Sequence, residues 1–151
     1  QFHASNDRAA TRIDVFRVIS TIQSIKSFTA VIRKADFIGK VITPAQVYHS
    51  FGVELAEHLS LMTRRQKIVI VFDKALNTRE EDALRTSLKS HFSAHDREYL
   101  IYFHNVSKDA NAQIADYIAW ANFGFYERGN NHWISKLPKR LRESKKLILR
   151  A

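Results

Sequence analysis

Two aspartates stand where a carboxylate either does chemistry or goes unexplained. Asp73 closes the run Lys67-Ile68-Val69-Ile70-Val71-Phe72-Asp73, and Asp116 interrupts Gln113-Ile114-Ala115-Asp116-Tyr117-Ile118-Ala119-Trp120-Ala121. The unbroken apolar run before Asp73 reads as a strand buried on both faces at the centre of a sheet. An acid at its exit lies on the sheet's carboxyl edge, where open α/β folds gather ligands and catalytic groups. The plainer reading of Asp73 is an Asx-type turn or a cap. Asp116 sits on a helix that is apolar on nearly every side. A carboxylate buried there without a partner costs several kcal/mol, so a cation, a hydrogen-bond network or a cleft must receive it.

The elements that would position these acids alternate. Residues 1 to 5 read as the end of a strand, and Asn6 or Asp7 as the cap of a helix reaching Ile25, with Phe16, Ile19 and Ile22 on its apolar face. Phe28 to Arg33 reads as a strand closed near Gly39. Thr43-Pro44-Ala45-Gln46 joins a capping box to a proline at the first helical position. The helix that it opens carries Tyr48, Phe51, Leu55, Leu59 and Met62 in one stripe and ends at Arg64-Arg65. Thr78-Arg79-Glu80-Glu81 reads as a second capping box, for a helix through Leu84, Leu88 and Phe92. Tyr99 to His104 is a further strand, and the helix of Asp116 follows, ending near Gly129-Asn130-Asn131. Alternation of this kind implies a mostly parallel or mixed sheet flanked by helices.

Composition narrows the function. The chain has 151 residues, enough for one domain with a proper core, here residues 1–131, followed by a basic extension at 132–151 that packs on the domain or trails it. Zero cysteines exclude disulfides and thiolate metal sites and fit a reducing, cytoplasmic setting. No apolar run approaches the roughly 18 residues that span a bilayer, so no membrane is expected. Net charge is +9, and the extension holds Lys136, Lys139, Arg140, Arg142, Lys145, Lys146 and Arg150 against Glu143 alone. Clustered cations gain affinity for a polyanion by releasing its counterions, so nucleic acid is the expected partner, a solubilising tail being the plain alternative. A protein partner or a second copy of the chain is also open.

Phe2-His3-Ala4-Ser5, the strand ending at Asp73, and Gln113 to Ile118 followed by Tyr126-Glu127-Arg128-Gly129 together resemble the prokaryotic family called domain of unknown function 3800, in order and over nearly the whole chain. The resemblance implies a ribonuclease H-like α/β fold, a mixed sheet flanked by helices, and a nuclease (a hydrolase) cutting DNA or RNA with Mg²⁺ or Mn²⁺. Asp73 and Asp116 match the family's acids after the fourth strand and on the last helix and would hold the metal. Glu54 is the acid expected from the first standard helix, Glu57 pointing away from the apolar stripe. The family's first-strand Asp-Glu-Ser is absent, as if an upstream segment were lacking. A non-catalytic binding module of the same fold, one subunit of a larger complex, is the rival reading.

That chemistry needs such acids. Phosphodiester hydrolysis requires an activated water and neutralisation of the leaving oxygen, which two Mg²⁺ ions about 4 Å apart can supply from carboxylates and waters. Lys108, Lys139, Arg140, Lys145 and Lys146 would grip the phosphate backbone. Tyr117, Trp120 and Trp133 are either stacking surfaces or core. His91 and His95, one helical turn apart, have zinc-like spacing but no third ligand in reach of the sequence. His3 and His104 end strands and are either proton shuttles or ordinary hydrogen-bonded histidines. Neither a glycine-rich phosphate loop nor a nucleophile elbow occurs.

Overall fold

The computed structural model describes residues 3–32, 43–62, 67–74, 76–105 and 108–146. The strand end at Arg33, the Gly39 turn, Arg64-Arg65, Ser107 and Arg150 lie outside these residues. The described part is mixed α/β and gathers into two compact units, one from residues 1–31 and 107–145, the other from 32–106 and 146–151. Two two-stranded sheets are described, where the sequence led us to expect a single sheet. None of the described helices is long and apolar enough to cross a membrane.

In the first unit, His3 to Asp7 form a turn where a strand end was expected, because the amides of Asn6 and Asp7 both bond back to His3 O at 3.0 Å. Helix α1, Ala9–Thr21, starts after Arg8 without a side-chain cap. Asp7, the expected cap, is occupied elsewhere. α1 stops short of Ile25 because Ile22 leaves helical geometry at φ −80° and ψ 99°. Strand β1 is Thr29–Val31. Helix α4, Ala110–Arg128, is capped by Asp109 and closed by Gly129. At φ +64° Gly129 occupies the left-handed region that glycine tolerates, and Asn130 N–H reaches back to Gly124 O. The basic segment then folds as a short helix α5, Asn131–Ile134, a 3₁₀ turn, Lys139–Leu141, and strand β4, Ser144–Lys146, which pairs with β1. Leu137 and Leu141 are fully buried with Phe16, Ile19, Tyr117, Ile118 and Ala121, so this segment is part of the unit's core.

The second unit holds helix α2, Pro44–Met62, strand β2, Ile68–Asp73, helix α3, Thr78–Ala94, and strand β3, Tyr99–His104. The box at Thr43 forms as read, with Thr43 N–H on Gln46 Oε1 at 2.8 Å. The box before α3 sits one residue earlier than expected: Asn77 Oδ1 takes Glu80 N–H, and Glu80 returns to Asn77 N–H. β2 and β3 run parallel, from Ile68 opposite Tyr99 to Asp73 opposite His104. Ile68 and Ile70 are buried against Ala56, Leu84, Leu88 and Phe92. Val69, Val71, Leu100 and Tyr102 stay exposed on the other face. The expectation of a β2 buried on both faces is thereby corrected, since helices cover only one side.

Candidate functional site

Asp116 is received by a hydrogen-bond network. The Ala4 amide donates to its Oδ2 at 2.9 Å, and His3 Nδ1 lies 3.4 Å from the same oxygen. The side chains of His3 and Asp116 are 50% and 41% exposed, so the pair lies at the surface of the first unit. Both contacts fall on Oδ2, and Oδ1 enters neither. The turn that carries His3 is clamped from behind. Its amide donates to Asp7 Oδ2 at 2.9 Å, and the Tyr117 hydroxyl donates to that same carboxylate oxygen. Arg12 Nε donates to Ala4 O at 2.7 Å, and its guanidinium covers the Trp120 ring at 4.5 Å.

The electrostatics follow from this clamp. The Tyr117 hydroxyl, and then the His3 amide with the charges of Arg12 and His3, hold the Asp7 carboxyl below its ordinary range against the opposing effect of desolvation. Burial, and then the bond to Asp7, push the Tyr117 hydroxyl up. Ser5 Oγ lies 3.1 Å from His3 Nδ1, the nitrogen that also faces Asp116. A serine nucleophile and its orienting acid occupy opposite ring nitrogens in a hydrolytic triad, so this serine, histidine and aspartate do not form one.

Asp73 belongs to the second unit. It is exposed at the carboxyl end of β2, opposite His104 in the register. Glu54 is half-buried on α2, and Glu57 is exposed and within electrostatic reach of His91 on α3. His91 Nε2 meets Ser60 Oγ at 3.1 Å, and its ring stacks on His95 at 4.4 Å. Burial, and then the charge of His95, lower the His91 pKa, with Glu57 opposing. Among the described residues no group of three or more histidines and acids could hold a metal ion.

The cations sort into two kinds. Arg140 donates to Ser20 O and Ile22 O, both at 3.0 Å, and Arg142 to Ser135 O at 2.8 Å, so these guanidinium groups tie the basic segment to backbone carbonyls. Lys108, Lys136, Lys139, Lys145 and Lys146 are exposed. Of the aromatics named from the sequence, Tyr117 lies in the core, and Trp120 and Trp133 are partly buried against it. Tyr117 is fully buried, Trp133 stacks on Phe16 at 5.3 Å, and Trp120 meets Trp133 edge-on at 5.5 Å. The exposed rings of α4 are instead Phe123 and Tyr126, neither of which the sequence singled out as a stacking surface. No family model matches the chain, and neither a curated protein nor a solved structure does.

Proposed function

We propose that this chain acts on nucleic acid as a divalent-metal-dependent phosphodiesterase with a ribonuclease H-like ancestry. One observation carries the reading: on the otherwise apolar α4, Asp116 keeps a surface carboxylate whose orientation is fixed by the Ala4 amide at 2.9 Å. A carboxylate oriented through one oxygen can offer the other to a hard cation. Mg²⁺ suits such a donor, because it retains most of its waters and takes only one or two protein carboxylates, whereas zinc asks for a dedicated cage. Asp116 is assigned as an oxygen donor of the first unit, and Asp73 and Glu54 as the candidate acids of the second. When bound, the ion would supply an activated water and neutralise charge on the phosphate. The chain's own contribution is to hold Asp116 still through the clamped turn and to attract phosphates through Lys108, Lys139, Lys145 and Lys146.

The Ala4 amide and His3 also satisfy Asp116 without any metal, and that favours a second reading, a non-catalytic binding module. Thermal unfolding with and without millimolar Mg²⁺ or Mn²⁺ separates the two. An ion that binds only the folded state raises the melting temperature, and Asp116→Asn, which keeps an acceptor for Ala4 N–H, should abolish the rise. If metal leaves both curves in place and no phosphodiester is cut, the binding module stands.

A further inference from the structure

Helix α4 turns Tyr117, Ile118 and Ala121 into the core and leaves a second apolar stripe outside. Ala115, Ala119, Phe123 and Tyr126 recur at helical spacing on that exposed side. Phe123 is 56% and Tyr126 41% exposed, which makes them a patch of two large rings rather than scattered apolar residues. A cation borders it. The Arg128 guanidinium stands over the Phe123 ring at 5.9 Å from its centroid. The Tyr126 hydroxyl meets Ser144 Oγ at 2.7 Å, which brings the start of β4 to the edge of the patch. Glu127 is the one acid between Phe123 and Arg128.

We infer that this patch is a stacking platform for single-stranded nucleic acid, an inference that rests on reading the chain as a protein that acts on nucleic acid. Two bases lie on Phe123 and Tyr126, and the phosphate between them meets Arg128. Flat exposed rings take any base through its π-face, and neighbouring cations take the backbone, the combination by which unpaired strands are bound without sequence preference. A duplex hides its base faces in its own stack and cannot use the rings. The Arg128 guanidinium beside the rings supplies the positive charge that a phosphate backbone requires. Tyr117 is buried, and Trp120 and Trp133 are partly buried against the core, which leaves Phe123 and Tyr126 as the exposed rings of α4.

The test uses fluorescence anisotropy with a labelled oligothymidine, an oligouridine and a mixed-sequence duplex of equal length. Phe123→Ala and Tyr126→Ala should each weaken single-strand binding by about ten-fold and leave duplex binding unchanged. Both side chains are exposed, so the variants should keep the native circular dichroism. Phe123→Trp should restore affinity, and the added indole fluorescence should be quenched when the strand binds. Arg128→Ala should lower the salt slope of binding by about one. Equal losses on duplex and single strand, or single-strand affinity that ignores both rings, overturn the platform and leave the proposed function untouched. Absence of binding to any of the three nucleic acids removes that function and the platform with it.

Discussion

The carboxylate of Asp7 does structural work that neither its position nor its neighbours in sequence advertise. Its bonds to Tyr117 and to the His3 amide lower its pKa, so the folded protein takes up that proton less readily than the unfolded chain does. The stabilisation is present above the ordinary value of 3.8 and is lost as pH falls through the lower folded value. Asp7→Asn should therefore flatten the acid limb of a urea-midpoint curve against pH. Tyr117→Phe removes a buried hydroxyl that donates to a charged group and should cost about 1.5–3 kcal/mol by chemical denaturation. For His91 the sign is the same for the opposite chemical type. Its lowered pKa means that the unfolded chain binds the proton first, so stability should decline as pH drops below 6.5, and His91→Gln should remove that decline. That Asp116 needed a cation, a hydrogen-bond network or a cleft to receive it was legible in the sequence, from an acid on an apolar helix. Its partner was not, because the Ala4 amide stands 112 residues away and backbone donors leave no trace in residue type.

Among the elements, α2 and α3 approach most closely at Gly52. A Cβ there would meet Ser87 Oγ at 2.0 Å and Leu84 Cδ1 at 3.0 Å, so the crossing requires glycine for space rather than for backbone freedom. Gly52→Ala should destabilise by about 1–3 kcal/mol, and adding Ser87→Ala should recover part of the loss in thermal melts. The α3 cap gives a second check: Asn77→Ala should cost about 1 kcal/mol, and Thr78→Ala much less. Both Asn77 to Glu80 and Thr78 to Glu81 spell a capping box. Only the extended backbone of Asn77, φ −79° and ψ 166°, selects between them. The α2 start was readable because proline and the Thr43–Gln46 pair agree on it. The β2 run was not fully readable, since a continuous apolar sequence reads the same whether helices cover one face or two.

At the scale of the whole molecule, strand and helix alternation made the α/β class legible, while the composition of the first unit was not. Residues from both ends of the chain build it, and the sequence left open whether the basic extension packs on the domain or trails it, whereas Leu137 and Leu141 fill the core of the unit. Leu141→Ala should cost about 2–5 kcal/mol, and a truncation after Gly129 should leave the first unit without a cooperative transition in calorimetry. Such an arrangement also bears on synthesis. A ribosome releases α1 early, with Phe16 and Ile19 still lacking the α4 residues that cover them, and only after residues 32–106 have emerged does α4 follow. The second unit can therefore condense on the nascent chain while the first waits for α4 and the segment after it, and its uncovered amphipathic helix is meanwhile a natural client for a chaperone.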